Sequence, residues 1–424
     1  MNSKSLAQRD VDVIWHPYTQ MKTAASPIPI VRGEGVYLFD EQGKRYIDAV
    51  SSWWVNIHGH AHPHIAKKVA EQLQRLEHVI FAGFTHPGAV ELAERLIAIL
   101  PSNQKKVFYS DNGSTAVEVA LKMCFQYWSN RGEERSKVLA FKNSYHGDTF
   151  GAMAVSARSA FTAPFEKFLF DVEYIDLPTE KNIESLKRYI SDIKGDLASF
   201  IYEPLVQGSG GMLMYDARWL DELVKHCQEN AVFTIADEVM TGFGRTGKRF
   251  ASDYLATKPD IMCFSKGLTG GTMALGITTC TEDIYQAFLS EDKLKTLFHG
   301  HSFTANPIAC AAALASMDIF LEEETFESIS RITKSHAQFA ARISRHPNLL
   351  DVRQTGTIIA LEWATDNTTS YFSSLRDQLY NFFLDRGIIL RPLGNIIYIL
   401  PPYCISEEDL EYIYGQIEEA LKLF

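Results

Sequence analysis

The stretch DIMCFSKGLTGG, residues 260–271, contains the alternation on which the fold of this chain depends. Its apolar run, residues 261–264, is short and ends in a glycine-rich turn, as is typical of a buried strand. Lys266 stands between the run and the turn. A lysine in this place is either a solvated loop residue or an amine held where water is scarce. The sequence of the neighbouring segments is needed to decide between these two interpretations.

Further short apolar runs precede this one, and amphipathic helical segments lie between several of them. The runs cover residues 106–110, 137–141, 198–204 and 231–239. The helical segments include residues 114–128 and 217–230. Short buried strands that alternate with helices predict an α/β fold, in which helices cover both faces of a parallel sheet. Ligands of such a sheet lie at the carboxyl ends of its strands.

The pattern changes after about residue 325. A long helical stretch at roughly 308–346 leads to strand-like runs, a helix near 370–386 and a last helix at 406–423. This order predicts a smaller α+β domain, with the ligand site where that domain faces the strand ends of the large sheet.

Composition excludes several classes of protein. Of the 424 residues, 46% are hydrophobic and 22% are charged, and the formal net charge of −11 argues against binding to nucleic acid or to an anionic membrane. Six cysteines are scattered without a Cys-x-x-Cys pair, which is typical of a reducing compartment. The sequence contains neither an apolar stretch of signal-peptide type nor a run long enough to span a membrane. These features predict a cytoplasmic protein.

A dinucleotide fingerprint, G-x-G-x-x-G, occurs at Gly242, Gly244 and Gly247. Its surroundings argue against a nucleotide site, because the acidic pair Asp237 and Glu238 ends the preceding strand where a pyrophosphate would lie. We therefore interpret the glycines as a turn.

Three other features could serve a ligand. Asp237 ends an apolar strand, and a buried carboxylate needs a cation or several donors, such as a protonated ligand nitrogen. The small residues 112–115 begin a helix, where they form either an ordinary cap or an anion site. Tyr145 follows a strand and is either a core residue or a ring that stacks on a flat ligand. Together with Lys266, these features match the requirements of pyridoxal phosphate: a phosphate site, a stacking ring, a partner for the pyridine nitrogen and a Schiff-base amine.

At these residues the sequence resembles the class III, or omega, aminotransferases, which are fold-type I pyridoxal-phosphate enzymes. Their signature is an apolar strand ending in Asp-Glu, then Gly-x-Gly-Arg-x-Gly and Ser-Lys-Gly, and it occurs here between residues 235 and 267. The segments 14–21, 51–60, 144–156, 203–212 and 306–316 match the members that act in biotin biosynthesis. The resemblance implies transamination of 8-amino-7-oxononanoate to 7,8-diaminononanoate, with S-adenosylmethionine as donor and pyridoxamine phosphate formed in a ping-pong cycle.

The resemblance also implies the fold, the assembly and the site. The sheet is mixed but mostly parallel, and residues 57–322 form the large cofactor domain. Residues 323–424 form the small domain, to which residues 1–56 contribute, as they do to the substrate site. The expected assembly is a homodimer with shared active sites.

The implied catalytic residues are Lys266, Asp237 and Tyr145, and the cofactor would also contact Gly113, Ser114, His301 and Ser302. His301 and Ser302 occupy the positions of a Pro-Thr pair that reaches the phosphate from the partner subunit in this family. The implied substrate-binding residues are Tyr18, Trp53, Tyr145, Lys266, Gly300 and Arg391.

Three alternatives remain at this stage. His58, His60, His62 and His64 alternate as metal ligands on a strand would, but Pro63 interrupts such a strand and no metal is expected. Another omega aminotransferase, acting on ornithine, 4-aminobutyrate or a diamine, is disfavoured by Ser209, which stands where ornithine- and aminobutyrate-type relatives carry a glutamate. A protein that binds the cofactor without transamination, or a non-enzymatic assembly subunit, is disfavoured by the intact Lys266 and Asp237.

Overall fold

The computed structural model describes residues 4–365 and 374–424 of the chain. Its strands, in chain order, are β1 (Ile30–Glu34), β2 (Tyr37–Asp40), β3 (Arg45–Asp48), β4 (Gln104–Ser110), β5 (Lys137–Phe141), β6 (Val172–Ile175), β7 (Leu197–Tyr202), β8 (Val206–Gln207), β9 (Leu213–Met214), β10 (Phe233–Asp237), β11 (Ile261–Phe264), β12 (Gly276–Thr281), β13 (Leu349–Thr355), β14 (Ile358–Trp363), β15 (Ile388–Ile389) and β16 (Ile396–Ile399).

The α-helices are α1 (Leu6–Val13), α2 (Ser51–Trp54), α3 (Pro63–Leu73), α4 (Pro87–Ile99), α5 (Gly113–Asn130), α6 (Phe150–Val155), α7 (Ile183–Ile193), α8 (Ala217–Glu229), α9 (Glu282–Gln286), α10 (Pro307–Phe320), α11 (Glu323–Ile343), α12 (Ser374–Asp385) and α13 (Glu407–Leu423). Helix α2 is a distorted turn, since Ser52 and Trp53 have non-helical backbone angles. Within the described ranges, none of these helices has the length and apolarity needed to cross a bilayer.

Seven strands form the large sheet, in the order β4-β12-β11-β10-β7-β5-β6. Six of them run parallel, and β12 is antiparallel to both of its neighbours. All six residues of β7 and all four of β11 are buried, as expected for apolar strands covered by helices on both faces. The predicted strands and the mixed, mostly parallel sheet of fold-type I are confirmed.

One of the smaller sheets contains strands from both ends of the chain. β15 pairs with β3, so residues from the first 50 and the last 40 positions share the sheet β1-β2-β3-β15. A second sheet consists of β13, β14 and β16. The predicted long helix at 308–346 is two helices, α10 and α11, which are separated at Leu321–Glu322. The predicted helix near 370–386 is observed as α12, and its first residues, 370–373, lie outside the described ranges. The domain boundaries at residues 56 and 322 stay predictions.

The large sheet brings its functional loops to one edge. β5, β7, β10 and β11 run parallel, so their carboxyl ends meet there, and β4 leads at the same edge into α5. Gly244 and Gly247 both have left-handed backbone angles, with φ of 95° and 99°, so the G-x-G-x-x-G segment is a turn. A short 3₁₀ turn at Ala251–Tyr254 follows it, in place of the α-helix that a dinucleotide site requires.

Candidate active site

A cavity of about 450 Å³ lies at this edge of the sheet. It is lined by residues from the strand ends and from the loops that follow them: Trp54, Val55, Asn112, Gly113, Ser114, Tyr145, His146, Gly147, Glu203, Asp237, Val239, Met240, Ser265, Lys266, Gly271, Thr272, Met273 and Ala274. Five residues predicted from the sequence, Gly113, Ser114, Tyr145, Asp237 and Lys266, are therefore in one pocket.

Lys266 lies two positions after the end of β11 and begins a 3₁₀ turn (Lys266–Thr269). Its φ of 44° is left-handed, an unfavourable conformation for a residue with a side chain. The amine is 4.9 Å from the centroid of the Trp54 ring. Burial lowers the pKa of Lys266, and the nearby carboxylates Asp237 and Glu203 oppose that decrease. Lys266 is half-buried at the wall of the cavity, which favours the interpretation as an amine held where water is scarce over that of a solvated loop residue.

Asp237 is 3% exposed at the end of β10. One carboxylate oxygen, Oδ2, is 2.7 Å from His146 Nδ1, and the other accepts a hydrogen bond from the backbone N–H of Val239 at 3.1 Å. The contact with a carboxylate places a proton on Nδ1 of His146. His146 Nε2 is buried and has no hydrogen-bond partner among the described residues. The sequence analysis did not identify this partner, because no local spacing connects positions 146 and 237.

Glu203 is the second buried carboxylate of the pocket, and the sequence analysis assigned it no role. Its Oε1 accepts a hydrogen bond from the backbone N–H of Tyr145, and its Oε2 accepts one from Gly208, each at 2.9 Å. Burial raises the pKa of Glu203 to about 7, and His146 partly opposes this. Its position just beyond a mostly apolar strand was the available signal, the same signal that identified Asp237.

The start of α5 forms the other side of the pocket. Asn112 Oδ1 accepts from Thr115 N at 3.0 Å, and the Thr115 hydroxyl in turn accepts from the Asn112 backbone, so the predicted cap exists. Gly113 and Ser114, the first two helical residues, line the cavity. A Cβ atom at Gly113 would lie 2.7 Å from Val239 Cγ1, so a larger residue would displace this wall. The helix N-terminus can bind an anion in addition to its cap.

A cluster of aromatic residues and one arginine adjoins Tyr145. The Arg391 guanidinium carbon is 4.0 Å from the centroid of Trp53, and the ring of Tyr18 is 6.0 Å from that of Trp53. The Tyr18 hydroxyl donates a hydrogen bond to Asp148 at 2.5 Å. Burial and this carboxylate raise the pKa of Tyr18 to about 12, so its hydroxyl is protonated at neutral pH. Tyr18 and Trp53 are half-exposed, which suits the open end of a substrate site.

Gly300, His301 and Ser302 are not brought to this pocket within the single chain. They precede α10 in a loop whose Gly300 and Ser302 are exposed. His86 Nε2 is 2.7 Å from the carbonyl oxygen of Ala305 at the end of this loop.

Three of the four alternating histidines have separate hydrogen-bond partners. His58 contacts Ser316 at 3.0 Å, His60 contacts Asp48 at 2.9 Å and His64 contacts Asp318 at 2.8 Å. Pro63 begins α3 directly after His62, so these residues do not share a strand. Within residues 4–365 and 374–424, no three histidine, cysteine, aspartate or glutamate side chains lie together as potential metal ligands.

Comparison with known proteins decides the family. The sequence profile described as "Aminotransferase class-III" matches residues 18–421. The chain belongs to the class-III aminotransferases. The family, the aminotransferase activity and the fold predicted from the sequence are confirmed.

The relatives of this class-III aminotransferase include a protein of Synechococcus elongatus that is named adenosylmethionine-8-amino-7-oxononanoate aminotransferase. The two are 46% identical over 418 residues, which cover 96% of this chain and 98% of the relative. The crystal structure of the enzyme of that name from Methanocaldococcus jannaschii superimposes with a TM-score of 0.94 at 37% identity, and the match covers 98% of each chain. An amine transaminase from an uncultivated Pseudomonas species, solved in its PLP-bound form, has a TM-score of 0.89 at 30% identity over 97% of this chain and 98% of its own.

Membership of the family implies pyridoxal phosphate as the cofactor, and the pocket fits it. The cavity offers an amine, Lys266, for the aldehyde, a helix N-terminus for the phosphate, and a carboxylate, Asp237, for the pyridine N–H. Each group is buried or at the cavity wall, where it is shielded from water.

Proposed function

We propose that this class-III aminotransferase converts 8-amino-7-oxononanoate to 7,8-diaminononanoate in biotin biosynthesis, with S-adenosylmethionine as the amino donor. Relatives with 34–46% identity carry the corresponding name. The observation that carries the proposal is the cluster of Arg391, Trp53 and Tyr18 beside the Lys266 pocket, because it suits a long apolar substrate that ends in a carboxylate. Ser209, which is exposed, supports this acceptor over ornithine or 4-aminobutyrate.

Bound pyridoxal phosphate would supply an aldehyde for amines and a ring that accepts an electron pair. Lys266 would hold it covalently, and the low pKa of this buried amine favours the unprotonated form that reacts with an aldehyde. When the donor replaces Lys266, the freed Nζ would take the proton from the donor's Cα.

The other pocket residues would hold the cofactor in place. The N-terminus of α5, at Gly113 and Ser114, binds the phosphate, and Tyr145 packs against the ring. Asp237 accepts the hydrogen bond of the pyridine N–H, and His146 holds the carboxylate in position from its other side.

The substrate cluster would serve both half-reactions in turn. Arg391 can bind the terminal carboxylate of the keto acid with two parallel hydrogen bonds, while Trp53 and Tyr18 cover its methylene chain. The same rings can face the sulfonium of S-adenosylmethionine, a cation–π contact of about 0.5–2 kcal/mol. Gly300 would border this site from its exposed loop.

We further propose a cytoplasmic homodimer in which His301 and Ser302 reach the phosphate of the partner's site. Their position in an exposed loop, outside the pocket of their own chain, supports this assignment. Mixing inactive Lys266→Ala with inactive Ser302→Ala chains should restore activity, because one of the two sites in each hybrid dimer is intact. Full activity in a sedimenting monomer would contradict shared sites.

The reaction itself is tested by half-reactions. The cofactor-loaded protein is mixed with one amino donor at a time, and loss of the visible band reports transfer of the amino group to the cofactor. S-adenosylmethionine should cause this loss of the band. Lysine, ornithine and 4-aminobutyrate are tested in separate mixtures as alternative donors. Adding 8-amino-7-oxononanoate should then restore the band and yield 7,8-diaminononanoate. If the keto acid has no effect, the proposed substrate is wrong.

A further inference from the structure

Glu203 connects two walls of the pocket. It follows β7, its side chain is buried, and it lines the cavity together with Lys266. Its two oxygens accept from two different loops, one from Tyr145 after β5 and the other from Gly208 after β8. A single carboxylate thus holds the backbone of the predicted ring-contacting residue against the hairpin β8–β9.

The charged and titratable groups around Glu203 come from neighbouring strand ends. They are Lys266, His146 and Asp237, and the Tyr215 hydroxyl donates to the backbone oxygen of Glu203 at 2.5 Å. Asp237 already accepts from His146 and from a backbone amide. Among the residues that the structure describes, Glu203 accepts hydrogen bonds from two neutral backbone amides. Lys266 lines the same cavity, and Asp237 and Glu203 both oppose the decrease that burial causes in the pKa of its amine.

We propose that Glu203 is a positioning residue of this active site: it holds the Tyr145 backbone at the pocket wall and supplies, with Asp237, the negative charge that faces the Lys266 amine. The proposal rests on the proposed function in one respect, that Lys266 is the amine to which the cofactor attaches. In this role, Glu203 acts on Lys266 and on the loop that carries Tyr145, and it does not contact the substrate.

The first measurement follows Lys266 without any substrate. Full-length protein is stripped of cofactor and mixed with pyridoxal 5′-phosphate, and the rate at which the visible band appears is recorded as a function of pH. The rate depends on the unprotonated amine, so its midpoint reports the pKa of Lys266. In Glu203→Gln the negative charge that Glu203 carries above its pKa of about 7 is lost, so the midpoint should move to lower pH by about one unit. Glu203→Asp keeps the charge and should return the midpoint toward that of the wild type.

The second measurement follows the Tyr145 backbone. The amide of a Gln side chain can accept only one of the two backbone hydrogen bonds, because its nitrogen is a donor. Hydrogen exchange in the peptide that contains Tyr145 should therefore be faster in Glu203→Gln. Asp260→Asn is the matched control, since Asp260 is partly buried and accepts from the backbone of Thr234 but does not line the pocket. That control should change neither the exchange at Tyr145 nor the Lys266 midpoint.

The outcomes separate this proposal from the proposed function. An unchanged midpoint in Glu203→Gln, or a shift of equal size in Asp260→Asn, overturns the role of Glu203 while leaving Lys266 as the attachment site. If Lys266→Ala gains the same visible band with the same pH dependence, attachment at Lys266 and the role of Glu203 are both wrong. If Glu203→Gln does not fold, Glu203→Asp decides the matter, because its shorter side chain should release Tyr145 while keeping the Lys266 midpoint.

Discussion

Asp237→Asn removes one charge from the buried pair that Asp237 forms with His146 and keeps the shape of the side chain. In the folded protein, Asp237 is 3% exposed and accepts one hydrogen bond from His146 and one from Val239. With the cofactor bound, the protonated pyridine nitrogen would lose its carboxylate partner, and a buried charge left unpaired costs about 3–5 kcal/mol. If the full loss raises the activation free energy of the reaction, turnover should decrease by roughly 10²–10⁴-fold, because each 1.36 kcal/mol corresponds to a factor of ten in rate.

The assay separates turnover from cofactor binding. The phosphate contacts at α5 and the Lys266 amine are unchanged in Asp237→Asn, so the variant should retain its cofactor while kcat decreases. Glu238→Gln is the control, because Glu238 is equally buried and adjacent, but its oxygens accept from Ala251, Ser252 and Thr241, away from the cavity. The control should lower the unfolding temperature and keep turnover per folded molecule. Wild-type turnover in Asp237→Asn, or equal losses in the two variants, would refute the role of Asp237.

Three further predictions follow from the same pocket. Lys266→Ala should lose both the visible cofactor band and nearly all turnover, and turnover near the wild-type rate would show that another group holds the cofactor. Arg391→Ala should raise KM for the keto acid far more than for the donor; equal effects in the two half-reactions would remove Arg391 from the keto-acid site. Between pH 4.5 and 7, folded Glu203 keeps a proton that the unfolded chain has lost, so this group lowers the free energy of unfolding by about 3 kcal/mol as the pH rises. Denaturant unfolding of cofactor-free protein at several pH values should show this decrease in the wild type, and the same slope in Glu203→Gln would contradict it.

The local sequence was sufficient for the elements of the large sheet. The runs at 137–141, 198–204 and 231–239 became β5, β7 and β10, because a parallel strand covered on both faces is rich in apolar residues along its length, whichever strands lie beside it. The same reasoning placed Lys266 and Asp237 at strand ends, where the pocket lies. The cap at Asn112 was likewise predictable, since it involves residues three positions apart.

The tertiary structure decided the partners of those residues. Asp237 and His146 are 91 positions apart in the sequence, and Tyr18 and Asp148 are 130 apart, so no local period relates them. The order β10-β7-β5 brings the first pair together, and that order depends on how the helices cross over the sheet and pack on it. The tertiary structure also determines the pKa values of pocket groups. Those of Glu203 and Lys266 are altered because folding removes water from both and brings charged groups near them.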